Sequence, residues 1–344
     1  MKELLLLAIV IMILLVIFQI AKASEYVSVL KGEDKTRKQT NKINGFLLIT
    51  FLVFGLIGVY VCNEWFFKKT LFPQGSASVE GEKIDFMLYL TIGVTGVIFI
   101  ITQVLLFWFC FRYQEKEGKK AYFFPHNTKL ELLWTTVPAI FLTVLVVFGL
   151  INWFKMTGPA PDNATLVEVT GHQFGWEFRY PGVDGILGKK DYKLYNQPSG
   201  NTLGVDFKDM NSLDDYHTTE MHIPLGKPVK LVINAQDVIH DVGLVHFRMK
   251  MDAVPGIPTT LWFTPKYTTA DMKVRTGNPN FVYEISCDQL CGASHFSMRG
   301  VIVVETEAQY KKWLNEQTPE YVTINKLNAP VIDSTKTPLA SIIK

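Results

Sequence analysis

A membrane-anchored chain, with four N-terminal transmembrane helices followed by an all-β sandwich, is the fold class this sequence predicts. Three observations carry that expectation. Of 344 residues, 48% are hydrophobic, and they crowd into the first 155 positions as four long apolar runs. Beyond them the pattern changes to short segments in which apolar and polar residues alternate, the period of a half-buried strand. Two of those segments flank a loop dense in sulfur and imidazole.

The apolar runs are Leu4–Ile20, Phe46–Cys62, Phe86–Phe111 and Leu132–Phe154. Each reaches the roughly 17–25 residues that a bilayer core demands of a helix. Ala21-Lys22-Ala23 offers a small-residue cleavage pattern after the first run. Charge argues that this run is retained. The expected loop 24–45 carries Lys31, Lys35, Arg37, Lys38 and Lys42, and the loop 112–131 carries Arg112, Lys116, Lys119, Lys120 and Lys129. Four spans with the N-terminus outside put both basic loops in the cytoplasm and the β-domain outside, whereas three spans reverse that order. The formal net charge of +2, with no basic aromatic patch, gives no reason to expect a nucleic-acid partner.

After Phe154, Gly158, Pro159 and Pro161 mark a linker. Val167 and Val169, then Trp176, Phe178 and Tyr180, alternate with polar residues as strands do. Residues 182–220, rich in Gly, Asp, Lys and Asn, lack a clear period and read as a long excursion. Val229, Leu231 and Ile233 form another strand, with His240 just beyond it. A short helix over Ala308–Gln317 closes the domain, and the tail after Thr318 reads as extended. The expected divisions are 1–62 (two spans with their basic loop), 63–155 (a hairpin of helices 86–111 and 132–154), 156–316 (the β-domain) and 317–344 (the tail).

The chemistry concentrates in C-D-Q-L-C-G-A-S-H-F-S-M, from Cys287 to Met298. It lies between the alternating strand of Phe281, Tyr283 and Ile285 and the run Val301–Val304. Thiolate and thioether favour copper(I), zinc or iron–sulfur, and imidazole adds copper, so the set points to copper. His240 in N-A-Q-D-V-I-H-D is the best upstream candidate for a further strong ligand. Two thiolates, two imidazoles and one thioether are the inventory for two coppers bridged by both sulfurs. A disulfide leaves His295 and Met298 unexplained, structural zinc usually shows two C-x2-C-like pairs, and iron–sulfur sites use four thiolates. Cys62 and Cys110, the other two cysteines, fall in apolar runs and read as small core hydrophobes. Ligands on adjacent loops at one end of a β-sandwich resemble the cupredoxin arrangement.

The Cys287–Met298 segment resembles the dinuclear copper (CuA) loop of cytochrome c oxidase subunit II. D-V-I-H at 237–240 matches that family's first copper histidine, and F-R-M-K-M-D-A-V-P-G at 247–256 matches the stretch that follows it. G-H-Q-F-G-W-E-F at 171–178 resembles the family's aromatic strand, and E-L-L-W-T-T-V-P-A at 131–139 resembles the start of its last membrane helix. The resemblance spans about residues 86–316. It implies an electron-transfer subunit that accepts electrons from a cytochrome c, or a cytochrome c domain, and passes them to the haems of subunit I, where oxygen is reduced with proton translocation. Other oxidase subunits are implied partners, and haem is expected only in a partner. No C-x-x-C-H occurs here, so no covalently attached haem c is expected. The implied location is a bacterial inner membrane, multi-pass, with the copper domain periplasmic. The first two spans are then an N-terminal addition to a two-helix core.

The resemblance also assigns residues. Cys287 and Cys291 bridge, His240 and His295 each complete one copper, and Met298 is a weak ligand that tunes potential. The main-chain carbonyl of Gln289 is the remaining weak ligand. The family's usual residue there is a glutamate that helps hold magnesium at the subunit I contact. A neutral amide is a weaker ligand for a hard cation, which counts against magnesium here, although Asp252 could lie nearby. The family receives electrons at a tryptophan that aligns with Phe174, with Trp176 two residues later; Trp176 equally reads as a core aromatic. Glu131 matches a glutamate at the mouth of a proton-uptake path, and it also reads as an acid stabilised at a helix N-terminus. His172 suits a structural hydrogen-bonding role, and His126, His217, His222 and His246 read as surface or packing residues. The rival reading is a membrane-tethered copper chaperone using C-x3-C, which typically has a proline where Gly292 stands. A quinol oxidase subunit would lack the copper ligands, and nitrous oxide reductase, with a similar loop, lacks these spans.

Overall fold

The computed structural model describes residues 2–116 and 118–325. Among them, four helices are long and apolar enough to cross a membrane: α1 (Lys2–Lys31), α2 (Glu33–Phe66), α3 (Val79–Arg112) and α4 (Thr128–Thr157). All four outrun the apolar segments that predict them. The 34-residue α2 is about 51 Å long at 1.5 Å per residue, against ~30 Å of hydrocarbon. The expected loop 24–45 is a correction: it is helical on both sides of a single break at Gly32, where φ is 85°. Hydropathy ends where apolar residues end, but Glu, Lys, Arg and Gln are good helix formers and carry the helices on. The basic residues of this stretch therefore flank Gly32 on helix ends.

The chain divides into two compact units, Met1–Lys69 with Thr91–Val137, and Thr70–Leu90 with Pro138–Lys344. In the first, aromatic side chains of α2 meet those of α3, with Phe46 and Phe111 ring centroids 5.6 Å apart and Phe51 and Phe107 5.7 Å apart. In the second, the residues just before α3 and its first turns are stitched to the β-domain. Ala77 N–H donates to His246 O (2.8 Å) and Val79 N–H to Thr264 O (3.0 Å). Glu80 accepts from Thr264 N–H at 2.8 Å, and Asp85 pairs with Arg248 Nε at 2.7 Å. Residues 70–85, placed from sequence with the membrane hairpin, thus hydrogen-bond into the β-domain.

Ten strands make that domain: β1 (Thr165–His172), β2 (Gly175–Tyr180), β3 (Tyr216–Thr218), β4 (Met221–Pro224), β5 (Val229–Ala235), β6 (His240–Leu244), β7 (Met249–Ala253), β8 (Thr259–Phe263), β9 (Tyr283–Cys287) and β10 (Arg299–Glu305). Among the described residues they form two five-stranded sheets, ordered β3-β2-β1-β5-β8 and β4-β10-β9-β6-β7. The pairs β1–β5 and β4–β10 are parallel, so neighbouring strands are joined by crossovers rather than hairpins alone. Alternation buries one face of each sheet. Val167, Val169, Phe178, Leu231 and Ile233 of the first sheet share one core cluster with Val242, Leu244, Tyr283, Ile285 and Ile302 of the second.

The excursion expected at 182–220 is present, with short 3-10 turns up to β3. A buried charge holds it. Arg179 of β2, 2% exposed, pairs with Glu168 of β1 at 2.6 Å and Asp215 at 2.8 Å, and donates to Gly188 O at 2.9 Å. Three short helices complete the domain: α5 (Thr269–Thr276), α6 (Glu307–Asn315) and α7 (Glu320–Ile324). The first two open with capping boxes, Thr268 with Asp271 and Thr306 with Gln309, which satisfy donors at each helix start. The helix expected at Ala308–Gln317 is α6. The tail expected as extended begins with α7, and its remainder from 326 lies outside the described residues.

Candidate metal centre

Strand pairing brings the soft donors together. In the register of β6 with β9, Val242 faces Cys287, which sets the start of β6 beside the end of β9. His240 Nδ1 lies 3.7 Å from Cys287 Sγ. The chain then loops outward, so that Cys287 Sγ is 3.1 Å from Gln289 O and 3.8 Å from Cys291 Sγ. Cys291 Sγ is in turn 3.7 Å from both His295 Nδ1 and Met298 Sδ. Both cysteines are free thiols, so no disulfide competes. All six sequence-predicted ligands are thus within one cluster, and His240, Cys287 and Cys291 place their donor atoms within 4.8 Å of one another.

This cluster is dry at its base. His240 is 0% exposed and Met298 1%. Burial, reinforced by Cys287 alongside, pushes the Cys291 thiol up to about 11. A cation bound between the sulfurs would therefore have to displace a proton from this thiol. The rim is apolar and open: Leu290 and Phe296 are 78% and 80% exposed.

Residues outside the predicted set shape the cluster. Asp237 Oδ1 lies 2.8 Å from His240 Nε2, the ring nitrogen pointing away from sulfur. Burial favours a neutral Asp237, but His240 and the N–H groups of Gln173 and Val238 outweigh it and hold the carboxyl below its usual range. Gly171 of β1 is required by close approach, because a Cβ there would meet Trp176 at 2.9 Å and the His240 ring at 3.2 Å. Asp237, three residues before His240, lies in the D-V-I-H stretch that the resemblance singled out, but it was given no role there. Gln173 and Gly171 lie in the G-H-Q-F-G-W-E-F stretch at 171–178, but that resemblance gave neither a role at the cluster.

The remaining predicted residues lie as follows. Trp176 is buried and meets His240 edge-on, with ring centroids 6.1 Å apart. Phe174 is half-buried, with its ring against Gly292 of the sulfur loop. Glu131 lies in the first turn of α4, remote in sequence from the cluster, and accepts from Asn127 N–H at 3.0 Å. Gln289 is exposed. Asp252 faces Asp241 across β6 and β7, and burial, with Asp252 next, pushes Asp241 up to about 7. His172 lies 3.6 Å from Glu177. His222 stacks on Trp313 at 4.1 Å, and His246 packs against Phe281 at 5.0 Å.

Four long apolar helices followed by a two-sheet sandwich, with sulfur and imidazole donors gathered at one end of its strands, define the class of helix-anchored cupredoxin-like domains. The family is shown by sequence relatives. The family described as "Cytochrome C oxidase subunit II, periplasmic domain" matches residues 165–306, and "Cytochrome C oxidase subunit II, transmembrane domain" matches 66–151. The "Alternative cytochrome c oxidase subunit 2" of Bradyrhizobium diazoefficiens is 34% identical over 275 residues, 79% of this chain and 91% of that one. The "Cytochrome c oxidase subunit 2" of Cereibacter sphaeroides is 29% identical, covering 71% of this chain and 78% of that one. A solved periplasmic domain of a Bradyrhizobium japonicum oxidase subunit II shares 26% identity, covering 46% of this chain and 94% of that one, at a TM-score of 0.31. The assignment rests on the sequence relatives and not on that overlay.

The chain belongs to the cytochrome c oxidase subunit II family. It is an electron-transfer subunit of an oxidoreductase complex, working with other oxidase subunits, with a cupredoxin-like domain outside the cytoplasm.

Proposed function

We propose that His240, Cys287, the main-chain carbonyl of Gln289, Cys291, His295 and Met298 hold two copper ions, and that electrons from a cytochrome c pass through them toward the haems of subunit I. What carries the reading is the unbroken series of donor-to-donor separations, 3.1 to 3.8 Å, from His240 through both sulfurs to His295 and Met298. Two thiolates, two imidazoles and a thioether are soft and borderline donors, matched to copper. When bound, such a pair supplies one-electron storage spread over two metals, which needs little rearrangement on reduction.

The chain's residues do the rest. Cys287 and Cys291 lie between the two histidines, and their thiolates would hold the copper pair. Asp237 orients His240, and the dry base formed by Met298 and Trp176 keeps water from the sulfurs. Phe174, half-buried beside Gly292, or Trp176, packed against His240, takes the electron from the donor. Glu131 at the head of α4 opens a proton path into subunit I. Gln289 supplies no carboxylate, so magnesium is not held through this position. The membrane is a bacterial inner membrane, with the sandwich in the periplasm.

Substitution tests the ligand roles in the full-length chain within its membrane complex. Cys287→Ser should abolish the mixed-valence copper spectrum. Met298→Leu should keep that spectrum and shift the reduction potential. Survival of the native spectrum in the cysteine variant refutes the bridging role, and a colourless copper(I) thiolate in the wild type would favour the chaperone reading.

A further inference from the structure

His240 and the other five predicted ligands arrive on different loops, and something must fix the spacing between those loops at the outer end of the site. At the inner end the strands do so, through the Val242–Cys287 pairing and the 3.2 Å bond from Asp288 N–H to Asp241 O. At the outer end, among the described residues, the hydrogen bonds run through one residue of a third loop, between β1 and β2. Gln173 N–H donates to Asp237 Oδ2 at 2.8 Å, and the other oxygen of that carboxylate is 2.8 Å from His240 Nε2. The Gln173 side-chain amide donates in turn to the main-chain carbonyl of Cys291.

Building on the copper reading above, we infer that Gln173 is a positioning residue for the centre. Its two amides tie the His240 loop to the Cys291 loop and so fix where one ligand set stands relative to the other. Two features make this tie specific. Gly292, next to the accepting carbonyl, has φ 145°, and a Cβ there would meet Gln173 Nε2 at 2.7 Å and the Phe174 ring at 2.9 Å. The loop thus leaves room for this amide to reach the carbonyl. Phe174, immediately after Gln173, packs its ring against the same glycine. The chemistry requires a donor: a carbonyl accepts, and of the two ends of the Gln173 side chain only the NH2 can serve it. Partners of this kind orient ligands without touching the metal.

The test uses the full-length protein with two near-isosteric variants. Gln173→Glu keeps the side chain's size but opposes the Cys291 carbonyl with an acceptor. Gln173→Met removes the donor without adding charge. Both should still bind two coppers. Both should alter the copper hyperfine pattern in the EPR spectrum and release copper to a chelator about tenfold faster than the wild type. In the metal-free protein, both should raise hydrogen exchange at the main-chain amides of residues 291–298. A Gln173→Met protein with wild-type spectrum, release rate and exchange overturns the inference while leaving the copper reading intact. A wild-type protein without a mixed-valence spectrum overturns both, since Gln173 then has no centre to position.

Discussion

Asp237 shows how one residue shapes the cluster without belonging to it. Its carboxylate takes the His240 nitrogen that faces away from the sulfurs, so the ring has one orientation and Nδ1 is turned toward Cys287. Replacing it with asparagine keeps the shape but removes the charge that supports the imidazole. Asp237→Asn should weaken copper retention by about tenfold, read by competition with a chelator; an unchanged affinity would deny the carboxylate this role. The donor residues were legible in the sequence, because five of them fall within twelve positions and their types point to one class of metal. Gln173 and Gly171 were not. Their roles depend on a loop from the other sheet arriving at the cluster, and no local spacing records that. Trp176 was open to two readings from sequence, and its burial against His240 follows from which strand face points inward.

At the scale of elements, the buried charges around Arg179 secure the excursion that follows β2. Removing that guanidinium would leave Glu168 and Asp215 buried without their common partner, and Asp215, already pushed up to about 7 by burial, would be protonated further. Arg179→Met should therefore cost about 3–5 kcal/mol, measurable by denaturant unfolding. The same region docks α7. Glu320 is 4% exposed, with its carboxylate 3.7 Å from His217 Nδ1, and His217 Nε2 is 3.3 Å from Glu177. Burial raises the pKa of Glu320; Arg179, Lys190 and His217 oppose that rise, while Glu177 adds to it. For His217, burial lowers the value, but Glu177 and Glu320 outweigh it and the net shift is upward. The signs agree. A histidine raised in the folded state contributes stability below its unfolded pKa and loses it as pH climbs through the folded value, and a raised glutamate likewise favours the protonated, acid side. Hydrogen exchange at α7 should thus quicken as pH rises past the ordinary histidine range, after correction for intrinsic exchange. In Glu320→Gln that dependence should shrink, and a pH-independent α7 in the wild type would contradict the account. Strands and spans were legible from period and hydropathy, whereas the helix ends were not, since charged helix formers extend a helix without leaving an apolar trace.

Across the whole molecule, the first turns of α3 belong by their hydrogen bonds to the sandwich, through Glu80 with Thr264 and Asp85 with Arg248. Sequence placed these residues with the membrane hairpin because they are polar and sit between apolar runs. What they bond to lies more than 160 positions away, beyond the reach of any local pattern. The two N-terminal helices form a compact unit with α3 from Thr91 onward and the start of α4. Metal count and electron sharing are both read by quantitative copper analysis with EPR spectroscopy on the complex containing this chain. Two coppers per chain beyond any held by partner subunits, with an unpaired electron delocalised over two nuclei, is the result predicted. One copper per chain with hyperfine coupling to a single nucleus would contradict it.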